Sequence, residues 1–115
     1  TDVGPVIDED AKAILVAHAA RMMSAATFIA EAKLGEGTQH GTFFAPTAWE
    51  LNSLSELDSE KFGPALHVVR WKADQLDAVV DAINATGYGL TLGIHSRIDA
   101  TIEKISRTVW RATIL

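Results

Sequence analysis

The 115-residue sequence predicts an α/β fold with a mainly parallel sheet and flanking helices. Three observations lead there. Apolar positions recur at steps of three and four from Glu9 to Ser24, the period of an amphipathic helix. The run "ALHVVRW", Ala65 to Trp71, is rich in β-branched residues that suit a pleated surface. From Ala65 onward, strand and helix signals alternate as a βαβα unit, and such crossovers require parallel strands. A hydrophobic content of 48% and a mean hydropathy of +0.13 fit one globular domain. A chain this short buries only about two thirds of its unfolded surface, so apolar patches can remain open to a neighbour.

The elements follow in order. Gly4-Pro5 breaks the backbone, and Asp8 is placed to cap the helix that follows by accepting from a free amide. Ala11, Ile14, Leu15, His18, Ala19, Met22 and Met23 form the apolar face of that helix. "TFIAEAKL", Thr27 to Leu34, alternates as a strand with one wetter face. "GEGTQHG" supplies turn residues, and "TFFAPT" is a second short extended piece that Pro46 confines to an edge or a strand end. "ELNSLSELDSE" reads as a polar loop with at most one helical turn, leading through Gly63-Pro64 into the Ala65 strand. Glycine is required at 63 if the backbone takes a positive φ or approaches another surface closely. "KADQLDAVVDAINATGYG" reads as a helix with Asp74 as cap, Leu76, Val79, Val80 and Ile83 on one face, and Gly87 at its left-handed end. "LTLGIHS" is a strand, and "IDATIEKISRTVW" a helix with Ile98, Ile102 and Ile105 on one side.

Composition excludes several classes of function. A net charge of −5 with ten scattered basic residues argues against a nucleic-acid surface. Without cysteine there is no disulfide, no thiolate metal site and no cysteine nucleophile in these residues. No run approaches the roughly 20 apolar residues of a membrane helix, and the start carries no signal-peptide pattern, so a soluble, cytoplasmic chain is expected. It begins with Thr1 rather than Met, as an excised fragment would. His18, His40, His67 and His95 show no i, i+4 pairing, so no zinc site is expected. "TGYGLTLG" begins a strand and lacks the spacing of a phosphate cradle, which makes Tyr88 a packing residue. Trp49, Trp71 and Trp110 are too dispersed for an aromatic cage and suit surfaces that another part of a larger protein would cover.

"EKFGPALHVVRW" followed by "INATGYGLTLGIHSRI" resembles the aldehyde dehydrogenase superfamily, whose catalytic domain carries an E-x-F-G-P motif and then an N-x-x-x-Y-G-L segment. "GPVID" and "GTFFAPT" match earlier family pieces in the same order, so four ordered motifs cover residues 2 to 107. The phrasing between motifs is most similar to the glutamate-semialdehyde (L-pyrroline-5-carboxylate) dehydrogenase module of bifunctional proline utilisation A flavoproteins. The resemblance implies a partial aldehyde dehydrogenase catalytic domain, a single fragment over residues 1–115 that lies after the nucleophile. Family members are several times longer and carry a nucleotide-binding domain and a catalytic cysteine. Where they continue into an A-G-x-(V/L)-x-V-N strand, this chain reads "VWRATIL", so an altered end is expected at 109–115.

By the same resemblance, the parent is an oxidoreductase that uses NAD to oxidise L-glutamate γ-semialdehyde to glutamate in proline catabolism. Its chemistry is thiolate attack, hydride transfer and thioester hydrolysis, and a linked proline dehydrogenase domain would carry FAD. The glutamate of the E-x-F-G-P motif meets the hydroxyls of the nicotinamide ribose, and the phenylalanine packs beside the nicotinamide ring. Glu60 and Phe62 are therefore the expected cofactor-binding residues, with no catalytic residue in the chain and no activity in isolation. From residue chemistry alone, the more common reading makes Glu60 a solvated loop carboxylate and Phe62 a core plug. The expected partners are the remainder of the dehydrogenase and a small aldehyde. The alternative is a non-catalytic association module that pairs with itself through an exposed sheet edge.

Overall fold

The computed structural model describes residues 2–110 and, as backbone only, 113–114. The chain divides into two compact units, residues 1–70 and 71–115.

The first unit opens with helix α1, Glu9–Ala25, and Asp8 caps it as expected: Oδ1 accepts the Ala11 amide at 2.7 Å. Three strands follow: β1 (Thr27–Glu31), β2 (Thr47–Leu51) and β3 (Ala65–Val69). They form one sheet in the order β1-β2-β3, with β1 antiparallel to β2 and β2 parallel to β3. The expected second strand is displaced along the chain. Pro46 precedes β2 rather than sitting within it, because proline has no amide to give a central ladder, and the pairing begins at Thr47. Alternation is clean along β2, where Thr47, Trp49 and Leu51 are buried and Ala48 and Glu50 are half-buried. β1 shows no such contrast: all five of its residues are exposed, so the expected wetter and drier faces are not distinguished.

The core of this unit is Met22, Trp49 and Leu51, with Ala19, Ala26, Leu57 and Val69 packed around it. The face of α1 that meets it is narrower than expected. Leu15, His18 and Met22 are buried, whereas Ile14 is exposed and Met23 is 76% exposed. Adjacent residues stand about 100° apart on a helix, so Met22 and Met23 cannot share a narrow stripe. Between β2 and β3 the segment 52–64 carries a single 3₁₀ turn, Leu54–Glu56, in agreement with the sequence reading. Its end approaches α1 closely. Gly63 has φ +148°, and a Cβ there would lie 2.3 Å from Leu15 Cδ1.

The second unit begins with a 3₁₀ turn at Ala73–Gln75, then α2 (Leu76–Ala85), β4 (Thr91–Leu92), α3 (Asp99–Thr108) and β5 (Thr113–Ile114). Asp74 lies inside the 3₁₀ turn and does not cap α2, which starts after Gln75 without a side-chain cap. Val80 is buried, with Leu76, Val79 and Ile83 half-buried beside it on the expected face. Gly87 takes φ +73° and returns its amide to Asn84 O, the left-handed helix end that the sequence indicated. Asn84 then bridges to the end of α3, donating from Nδ2 to Thr108 O and accepting the Trp110 amide at Oδ1.

The expected parallel pairing of β3 with β4 across α2 does not form; the two strands belong to different sheets. β3 pairs with β2, while the two-residue β4 pairs in parallel with β5 across α3. The strand signal of "LTLGIHS" thus shrinks to Thr91–Leu92, since only those residues find a ladder partner. The altered end expected at 109–115 lies in part outside the described residues, at 111, 112 and 115; Val109 itself is buried. No helix among the described residues is long and apolar enough to cross a membrane.

Replacing Gly63 with Ala forces a methyl group onto Leu15 and a left-handed φ onto an L-residue. Gly63→Ala is expected to lower stability by about 3 kcal/mol, read as a reduced urea midpoint.

Candidate functional site

Glu60 and Phe62 face an open groove of about 1010 Å³ in the first unit. Its other wall is the segment from Val3 to Asp8 together with the first turns of α1. That segment is held by the Val6 amide donating to Thr42 O and by the Thr42 hydroxyl donating to Val6 O. Phe62 is 77% exposed and is not a core plug. Glu60 is exposed and, among the described residues, makes no hydrogen bond or ion pair. Val3, Ile7 and Ile14 add apolar surface, whereas no Lys or Arg among the described residues lines the groove. It can therefore hold a flat apolar ring and accept hydrogen bonds from hydroxyls, but it offers nothing cationic to a phosphate. A second depression of about 470 Å³ over Ala30, Pro46, Ala48, Pro64 and Leu66 carries no charged side chain.

The loop that presents Glu60 and Phe62 is fastened to α1 at successive turns. Gly63 lies against Leu15. One turn on, His18 Nε2 meets His67 Nε2 at 2.7 Å, with the rings edge to face. A further turn on, Arg21 donates to Glu56 O at 3.1 Å and pairs with Asp58 Oδ1 at 3.3 Å. Lys61 pairs with the same carboxylate oxygen and donates to Ser59 Oγ.

The electrostatics follow from this crowding. Burial lowers the pKa of His18 from its ordinary 6.5, and His67, Arg21 and Lys61 lower it further against a small opposing effect of Asp58. His67 is lowered by burial and then by Arg21. A hydrogen bond from Lys61 holds the Asp58 carboxyl below its ordinary value. His18 is 4% exposed, and its Nδ1 is buried without a partner among the described residues.

Sequence reasoning located Glu60, Phe62 and the Gly63 turn, and the structure brings all three to one groove. It did not find the His18–His67 pair, because the partners are 49 residues apart. A signal was nonetheless present: each histidine occupies a core-facing position, one on the apolar stripe of α1 and one between Leu66 and Val68 in β3. Tyr88 is exposed in the second unit, and Trp49 lies in the core of the first rather than on an open surface.

Depressed imidazole pKa values mean that the unfolded chain takes up protons before the folded one. The stability contributed by the pair is complete above the ordinary value of 6.5 and is lost as pH falls toward the lowered folded values. The urea midpoint is expected to drop between about pH 7.5 and about pH 5.5, and the drop to shrink in His67→Gln.

Comparison with known proteins gives this geometry a context. The aldehyde dehydrogenase family model matches residues 1–114. The bifunctional protein PutA of Escherichia coli is 49% identical over 111 residues, covering 92% of this chain and 8% of that protein. PutA of Rhizobium meliloti is 46% identical over 108 residues, 94% of this chain and 9% of that protein. The chain thus spans less than a tenth of the length of these relatives. Among solved structures, a Bradyrhizobium japonicum proline utilization A variant superposes with a TM-score of 0.89 at 46% identity, over 99% of this chain and 12% of that one. A Thermus 1-pyrroline-5-carboxylate dehydrogenase with bound NAD gives 0.78 at 27%, over 96% of this chain and 22% of that one. With four sequence motifs in order, a family match over nearly every residue and the same fold in its solved relatives, this chain belongs to the aldehyde dehydrogenase family.

Proposed function

We propose that these residues form the cofactor-facing part of an NAD-dependent dehydrogenase that oxidises L-glutamate γ-semialdehyde to glutamate in proline catabolism. The observation that carries this reading is the exposed, unpaired Glu60 beside the exposed Phe62 in one groove. A carboxylate accepts two hydrogen bonds from a diol, and an aromatic face packs against a flat ring. These are the demands of a nicotinamide riboside, and the groove meets both. Among the described residues no Lys or Arg lines it, which is consistent with phosphates being held elsewhere. NAD, when bound, supplies the hydride acceptor.

Within such an enzyme this chain's residues bind and orient. Glu60 fixes the ribose, and Phe62 limits how the ring can turn, so that one face is presented. Neither transfers a proton. The attacking thiol and the nucleotide-binding domain come from other parts of the parent protein, since the chain contains no cysteine. On this reading the chain is inactive alone, and FAD belongs to a linked proline dehydrogenase domain. In the dehydrogenase that carries this segment, Glu60→Ala is expected to raise KM for NAD about tenfold or more, the loss of a charge-assisted hydrogen bond. Unchanged steady-state kinetics would remove Glu60 from the cofactor site.

A second reading, an association module, is favoured by the five exposed residues of β1 and by Leu66, 60% exposed on β3. It requires the isolated chain to self-associate. Sedimentation showing a monomer across a wide concentration range counts against it.

A further inference from the structure

We infer that His18 and His67 form the positioning clamp of the Glu60–Phe62 loop: one hydrogen bond between their Nε2 atoms holds α1 to β3 and thereby sets the mouth of that strand. The inference deepens the cofactor reading and rests on it only for its consequence in NAD binding.

The geometry carries the argument. At 2.7 Å the two nitrogens can share a single hydrogen, so one Nε2 donates and the other accepts. The buried, unpartnered Nδ1 of His18 selects the arrangement: leaving a bare acceptor there costs less than burying an unpaired N–H, which makes His18 Nε2 the donor. The bond joins the middle of α1 to the centre of β3. From His67 the chain runs back through Pro64 and Gly63, which lies on Leu15, to Phe62 and Glu60. On α1, Leu15 is one turn before His18, Ile14 beside it lines the groove, and Asp10 and Ala11 line it a turn earlier. Both walls of the groove are therefore referenced to the same bond. An apolar pair would fill this space without fixing the sliding of the helix along the strand, because dispersion contacts have little direction and a 2.7 Å hydrogen bond has a great deal.

The charged groups that bear on the pair are Arg21 from α1 and Asp58 and Lys61 from the loop before β3. Burial first disfavours charge on both rings; Arg21 adds to this on each and Lys61 on His18, while the Asp58 carboxylate, engaged by both cations, opposes it only on His18. Protonation of both rings converts the bond into a repulsion between two N–H groups, and the clamp opens on the acid side.

The test follows the loop and the cofactor separately. In the 115-residue chain, NMR is expected to show the amide signals of Glu60 and Phe62 moving with the same midpoint as the His18 and His67 ring signals. In His67→Gln, whose amide can replace the hydrogen bond without titrating, the loop signals keep their neutral-pH positions and no longer move with acid. In the parent dehydrogenase, His67→Phe raises KM for NAD several-fold with kcat nearly unchanged, His67→Gln restores it, and the acid-side rise of KM disappears. Loop signals that ignore the ring titration overturn the clamp. If they co-titrate while Glu60→Ala leaves KM for NAD unchanged, the clamp stands and the cofactor reading fails.

Discussion

The first unit depends on one stripe of α1 held against a loop and a sheet. Leu15, His18 and Met22 recur at three and four residues, and each finds a different kind of partner: the bare backbone of Gly63, the ring of His67 and the core around Trp49. Steric fit, a directed hydrogen bond and apolar burial thus act at successive turns of one helix. Met22 adds apolar burial to this stripe, a fully buried methionine side chain being worth roughly 2 kcal/mol in transfer terms. Leu15 and His18 decide where the loop must lie.

That division explains why the groove can be so open. Phe62 and Glu60 are poorly packed themselves, yet their neighbours are anchored: Asp58 before them, Lys61 between them, and Gly63 and β3 after them. Exposed ion pairs such as Arg21–Asp58 contribute little energy in water. Their use here is geometric, because Arg21 also reaches Glu56 O and so ties backbone as well as side chain. An exposed aromatic next to an unpaired carboxylate is poor economy for a folded chain alone. It is intelligible in a chain that spans less than a tenth of the length of the relatives it matches.

The second unit has a different logic. Its short strands contribute little pairing, and Asn84 takes over part of the work by joining the end of α2 to the end of α3 through both its amide nitrogen and its oxygen. Lys104 on α3 pairs with Asp77 on α2, adding a second tie between the same helices. The "INATGYG" phrase therefore has a structural reason for two of its residues: Asn84 bridges the helices, and Gly87 ends one of them with a positive φ.

Local chemistry alone determined much of this protein. Asp8 could be read as a cap and Gly87 as a helix end, because each follows from backbone geometry within a few residues, whereas Gly63 could be marked only as a place where a close approach would demand glycine. The helical period of α1 and the β-branched run of β3 were equally legible, and the motif order identified the family. What the sequence could not decide were pairings. β2 begins after Pro46 because its ladder is set by strands on both sides, and β4 is short because only two residues meet β5. Asp74, a plausible cap by type, falls in a 3₁₀ turn. The His18–His67 bond joins residues far apart in the chain, so its existence depended on where helix and strand cross. Short-range geometry is written in neighbouring residues; register, crossing and the meeting of two imidazoles are consequences of packing, which only the tertiary structure fixes.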